Sequence, residues 1–310
     1  MVNGRRSSGP PGLLARRAVG RVRRAVAPVP SVSAGIARLA AESPAPDAED
    51  APVFLLGAGW RTGSTYLQRM VNATPGTLVW GEPWTEGAIV ARLAESLAFL
   101  DPRGGRSSGR PLPAGSPVPS AQEWTATMTP PTENILAAQR AMLDRLWRHP
   151  AAEHGCARWG VKENVWGREC LELLMLLYPG ARFVLLVRDP VDQWRSYRPH
   201  TGRPWYVRFP EAPVVGPSAF GRMWDRLVRD FVTADRRSDR ATIVRYEDLS
   251  SPGETARLTT FLGLDEPLRA DLPRVGSSVT TPFFTEDLPA WETAILRRRT
   301  SVGRGLVGYP

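Results

Sequence analysis

The sequence predicts an α/β fold, a single doubly wound domain with a central parallel sheet flanked by helices. Two observations predict it. Short continuous apolar runs, "PVFLLGAG" and "ARFVLLVRD" above all, suit strands that are covered on both faces. Segments with apolar residues at helical spacing stand between such runs, so strand and helix alternate along the chain. At 310 residues, 42% hydrophobic and 23% charged, the chain has the composition of an ordinary globular protein and can bury a core.

Taken in order, residues 1–50 are rich in Arg, Ala, Pro and Ser and carry no strand signal. Within them "LLARRAVGRVRRAV" puts Leu14, Ala18, Val22 and Val26 at helical spacing with arginines opposite. That pattern fits a basic amphipathic helix lying on a membrane or a partner protein. A disordered, solvated arm is the other reading, and Gly20 in mid-segment favours it. Residues 51–310 form the domain. "PVFLLGAG" is its first strand and "STYLQRMV" the following helix, with Ser64 or Thr65 as cap. "TLVW" reads as a second strand and "AIVARLAESLAFL" as a helix. Residues 101–133, dense in Pro, Gly and Ser, read as a long loop of the kind that forms lids or inserts. Then follow the helix "NILAAQRAMLDRLW", the strand "ARWGVK" and the helix "ECLELLMLLY". "ARFVLLVRD" is the strongest strand, and the helix "PVDQWRSY" follows it. "AFGRMWDRLVRDFVTADRR" is a long amphipathic helix, "ATIVRY" a strand, and "PGETARLTTFLGL" a helix stopped by Gly263.

The net charge of +9 points at first to a polyanion-binding protein. Eight arginines precede the first acid, Glu42, and removing them leaves +1. The basic character belongs to the arm, so no nucleic-acid surface is expected on the body. Cys156 and Cys170 are too few for a disulfide scaffold or a cysteine zinc site. No apolar run reaches the length of a membrane span and no signal-peptide core is visible, which makes the cytoplasm the default location. Thirty-nine of the forty basic residues are arginine, and Lys162 is the sole lysine.

The stretch "GAGWRTGSTYLQRM", residues 57–70, resembles a phosphate-binding loop, G-x-x-x-x-G-K-[ST], without its lysine. Aligned on Gly63, Ser64 stands in the lysine's place and Thr65 in that of the metal-binding hydroxyl. A strand, a glycine turn and a helix aim backbone N–H groups and a helix N-terminus at an anion. An empty βα turn has the same pattern. A second stretch, "FVLLVRDPVDQWRSY", sets Arg188 at the carboxyl end of a strand, where ligands sit in open α/β sheets. Pro190 opens a helix and Ser196 falls about two turns along it, so a guanidinium and a hydroxyl can converge on one phosphate. A salt bridge from Arg188 to Asp189 or Asp192 is the structural alternative.

Together these stretches resemble the sulfotransferases that use 3′-phosphoadenosine 5′-phosphosulfate (PAPS), over roughly residues 52–265. Arg61-Thr62-Gly63-Ser64-Thr65 is similar to that family's 5′-phosphosulfate loop. Arg188 with Ser196 is similar to its 3′-phosphate motif, and Tyr246 matches a tyrosine near the cofactor. The Gly-Glu of "WGEPW" resembles the tyrosylprotein and bacterial carbohydrate sulfotransferases, whose glutamate is the proposed general base, which implies that role for Glu82. Lys162 in "WGVKEN" corresponds to a lysine that touches the transferring group, although Asn164 stands where relatives carry proline. The resemblance thus implies a P-loop-like fold, PAPS as sulfonyl donor, and Glu82, Lys162 and Arg61 as catalytic residues. Arg61, Thr62, Gly63, Ser64, Thr65, Arg188, Ser196 and Tyr246 would hold the donor, with no metal required and a hydroxyl-bearing small molecule, carbohydrate or peptide as acceptor. Ser277 and Ser278 are assigned to a late loop over the donor.

Two rivals stay open at this stage. One is a P-loop kinase or NTPase using ATP and Mg²⁺, with Thr65 on the metal. The missing lysine at position 64 and the arginine just before Asp189 speak against it. The other is a non-catalytic protein that docks through its basic arm, which leaves both phosphate-type motifs unexplained. The acceptor's identity and the oligomeric state are not written in the sequence.

Overall fold

A computed structural model describes residues 31–43, 50–82, 89–100, 110–123, 125–126, 128–200, 208–209, 212–272 and 287–310. Five strands form the central sheet: β1 (Val53–Gly57), β2 (Thr77–Trp80), β3 (Arg158–Glu163), β4 (Arg182–Val187) and β5 (Ala241–Arg245). They lie in the order β2-β3-β1-β4-β5, and every pairing is parallel. Leu55 lies between Lys162 and Val184, and Leu56 between Glu163 and Leu185. β1 is buried along its whole length, as its unbroken apolar run requires.

Side chains alternate across the sheet with the period of two that a strand imposes. Phe54, Leu56, Phe183 and Leu185 enter one core. Val53, Leu55, Val184 and Leu186 enter the other. On the second face pack α2 (Ser64–Asn72), through Leu67 and Met70, and, later in the chain, the helix Pro252–Leu262, through Leu258 and Leu262. The first face carries α3 (Ile89–Ser96), α4 (Glu133–Leu143), α5 (Arg168–Leu177), α6 (Pro190–Tyr197) and α7 (Gly216–Arg237). The helices that follow the adjacent strands β1 and β4 therefore go to opposite faces. That divergence opens a crevice at the carboxyl ends of the two strands, the usual ligand position in such a sheet.

Several expectations change. Inside the arm expected over residues 1–50, Val32–Glu42 is a helix capped by Ser31 whose Ile36 and Leu39 enter the core. At Gly35 an added Cβ would meet Leu97 O at 1.9 Å, so helix and body are in intimate contact. The amphipathic segment of residues 14–26 lies outside the described residues, as do Ser277 and Ser278. The cap of α2 is neither Ser64 nor Thr65 but Gly63, in the left-handed region at φ 93° with no side-chain bond. Two C-terminal helices, Ala290–Arg299 and Ser301–Leu306, were not anticipated. Within the expected loop at 101–133, Arg110–Pro111 pairs with Met128–Thr129. Among the described residues no helix is long and apolar enough to cross a membrane.

Candidate active site

The turn after β1 is held from both sides. Ala58 N donates to Leu186 O at 2.9 Å and Gly59 N to Asn164 O at 2.8 Å, tying it to the ends of β4 and β3. Gln193, buried on α6, donates from Nε2 to Ala58 O (2.9 Å) and Trp60 O (2.8 Å). The Trp60 ring stacks on Tyr197 with centroids 5.8 Å apart. Gly59 and Gly63 have positive φ, and Arg61, at φ 68°, is the one non-glycine that shares this conformation among the described residues. A left-handed conformation at a non-glycine residue costs of order 1–3 kcal/mol and persists only where surroundings over-determine it. Here those surroundings are the clamp from α6. The first α2 amide used within the helix is that of Tyr66, which donates to Gly63 O. The amides before it point off the helix N-terminus, as anion-binding turns require.

One cluster forms around Arg61. Its Nε donates to Ser196 Oγ at 3.0 Å, and its carbonyl accepts from Arg188 Nη1 at 3.1 Å. The Arg188 guanidinium lies 4.6 Å over the Tyr246 ring. A Cβ on Gly63 would sit 2.2 Å from the Cδ2–Cε2 edge of that same ring, so Tyr246 abuts the turn closely. Arg61, Gly63, Arg188, Ser196 and Tyr246 are thus brought together from three strand ends. Arg188 makes no ion pair with Asp189 or Asp192 among the described residues. Asp189 instead caps α6, accepting from Val191 N and Asp192 N, while Asp192 pairs with Arg195.

The second cluster lies at the ends of β2 and β3. Trp80 is opposite Val161, so the residues that leave the two strands are neighbours. Lys162 Nζ and Asn164 Nδ2 both donate to Glu82 Oε1. Lys162 is only 4% exposed. Asn164 Oδ1 and Thr62 Oγ1 are buried with no hydrogen-bond partner among the described residues, and both abut the point where a Cβ on Gly57 would stand. Burial pushes the adjacent Glu163 carboxyl up to about 7, and the charge of Glu82 adds to the rise. The Asn164 N–H at 2.7 Å and Lys162 oppose it.

Not every expected group turns the same way. The Thr65 and Arg61 side chains are exposed, whereas Ser64 and Thr62 are buried, so Thr62 offers the site only its backbone. His154 packs near Trp80 and His149 opens a short helix, and neither bonds a residue of the two clusters among the described residues. The positions missed in the sequence are Gln193, signalled only by standing one helical turn before Ser196, and the amide of Asn164.

Comparison with known proteins follows the same line. A family model described as "Sulfotransferase family" matches residues 52–267. No curated protein matches the chain. Among solved structures it is similar to a sulfotransferase domain from the curacin biosynthetic pathway: 15% identity, 85% of this chain, 99% of that one, TM-score 0.43. A sulfotransferase from Alicyclobacillus acidocaldarius gives 14%, 84%, 96% and 0.44 in the same order. One from Mycobacterium tuberculosis gives 16%, 82%, 77% and 0.41. The family model spans the turn after β1, both clusters and all five strands, so this chain belongs to the sulfotransferase family.

Proposed function

We propose that the chain is a PAPS-dependent sulfotransferase acting on an acceptor hydroxyl. The observation that carries this reading is the chain of contacts from Ser196 to Arg61 and from Arg61 to Arg188, which joins the 5′-type turn to the 3′-type motif. Two guanidinium groups and a hydroxyl converge on one crevice, and such forks favour phosphate oxygens. The turn can lie against Tyr246 in this way only because Gly63 has no side chain.

In this reading the amides of residues 62–65, with Thr65 Oγ1, hold the 5′-phosphate of the donor. Arg188 and Ser196 hold the 3′-phosphate and so favour PAPS over ATP. PAPS supplies an activated sulfonyl group, its S–O bond to the 5′-phosphate breaking as a bond to the acceptor oxygen forms. Glu82 accepts the proton released by the acceptor hydroxyl. Lys162 and Arg61 neutralise charge at the transferring group and the leaving phosphate, where preorganised cations contribute most. Lys162 is held for this by its ion pair with Glu82. The acceptor class, whether phenol, sugar or peptide, is left to a screen with labelled PAPS.

The test is ligand-induced stabilisation. 3′-Phosphoadenosine 5′-phosphate should raise the melting temperature, and ATP with Mg²⁺ should do little. Arg188→Ala should weaken the bisphosphate roughly tenfold or more, since hydrogen bonds to charged groups contribute about 1.5–3 kcal/mol. Stabilisation by ATP·Mg²⁺ alone would hand the site to a kinase or NTPase reading. Stabilisation by neither would leave a protein that works through its basic arm.

A further inference from the structure

We infer that Asn164 is a positioning residue: its side-chain amide fixes Glu82 by one carboxylate oxygen and presents the other to the acceptor. The inference rests on the reading of Glu82 as the base. Its ground is an asymmetry in the second cluster. Both donors, Lys162 Nζ and Asn164 Nδ2, converge on Glu82 Oε1. Among the described residues Glu82 Oε2 has no hydrogen bond, and the side chain keeps 24% of its surface open. A carboxylate held this way has lost its rotational freedom while one oxygen remains available for a proton.

Asn164 is itself immobilised. It is 2% exposed, its backbone carbonyl accepts from Gly59 N, and its backbone N–H donates to Glu163. Its Oδ1 fits against Gly57, where any side chain would collide at 2.4 Å. The orientation of the amide is set by chemistry, because only the NH₂ end can face a carboxylate. One residue therefore joins the base to the phosphate turn, its side chain serving Glu82 and its backbone the turn. Proline at this position would have no amide to offer and no N–H for Glu163. The charged groups beside Glu82 are Lys162, its ion-pair partner, and Glu163, whose carboxyl the charge of Glu82 helps push up.

The experiment uses full-length protein and labelled PAPS, with water and a pool of phenol, sugar and tyrosyl-peptide acceptors, across pH. In Asn164→Ala the maximal rate should fall about tenfold, and the acid limb of the rate–pH profile should move up by about one pH unit. Removing a donor from a carboxylate makes it easier to protonate. Bisphosphate affinity should change less than twofold, because the bond from Asn164 O to Gly59 N needs no side chain. Asn164→Asp keeps the shape but replaces the donor with an acceptor, and should move the limb further in the same direction. An unmoved limb in both variants overturns the inference. So does a loss of bisphosphate binding in step with rate, which would make Asn164 a support of the turn. Glu82→Gln separates the two levels. If Glu82→Gln is inactive while the limb of both Asn164 variants stays put, the inference fails and the base survives, whereas if Glu82→Gln turns over normally both fall.

Discussion

Glu163 ends β3 with its carboxyl withdrawn from water, and this single group ties stability to pH. Its folded value of about 7 lies above the ordinary 4.5, so between those values the folded chain holds a proton that the unfolded chain releases. Stability is then fullest below about 4.5, falls as pH rises, and levels off above about 7. Linkage over that interval corresponds to up to about 3 kcal/mol. Glu163→Gln still accepts from the Asn164 N–H and should be the more stable protein at pH 8, with the advantage gone by pH 4. Thermal melts of both proteins at the two pH values check it, and parallel curves would refute it. At Glu82 the expected loss is in turnover: Glu82→Gln should lower the rate by about 10²–10⁴-fold, the usual contribution of a general base, while leaving bisphosphate binding intact. Titration calorimetry alongside the rate assay distinguishes the two effects. Arg188 and Ser196 could be paired by their spacing from a strand end, whereas Arg61 and Tyr246 joined them only through the resemblance to sulfotransferase motifs. The Asn164 amide and Gln193 were not legible, because their partners, a carboxylate 82 residues away and a turn about 135 residues away, are set by tertiary contact. For the same reason spacing could not say that the Thr62 hydroxyl faces inward.

Among the elements, the turn into α2 depends most on one residue. Gly63 combines a left-handed backbone with the ring of Tyr246 lying where a Cβ would go. Gly63→Ala should cost about 1–3 kcal/mol in stability, from the backbone conformation and the displaced ring. It should also weaken the bisphosphate at least about tenfold, read by melting temperature and calorimetry on one preparation. An alanine variant that binds normally would show that the ring yields freely. The strands were legible because a run such as "FVLLV" has few other homes than a covered parallel strand. Helix α6 was legible through Pro190 at its first turn. Val32–Glu42 was hidden because its composition continues that of the basic arm. Gly35, Ile36 and Leu39 mark its buried side, and of these only Ile36 and Leu39, about one turn apart, are large apolar residues. The pair of helices from Ala290 to Leu306 carries a run of three arginines, Arg297 to Arg299, in the last turn of the first helix, where it complements the helix dipole.

For the molecule as a whole, the order β2-β3-β1-β4-β5 decides where chemistry can occur. It sends the helices after β1 and β4 apart, and both clusters gather at that end of the sheet. The body also reaches further toward the N-terminus than composition implies. Leu39→Ala, at a fully buried position, should cost about 2–5 kcal/mol, and the melting temperature should drop by roughly 2–4 °C for each of them. A substitution there without effect would return Val32–Glu42 to the arm. The sole lysine of the sequence is buried against Glu82. Apart from the chain's amino terminus, an acylating reagent has one amine to find, and a lysine-specific protease has one bond to cut. Covalent labelling of this protein is therefore a report on a single place: a tag on Lys162, counted by mass spectrometry, measures how often that pocket opens.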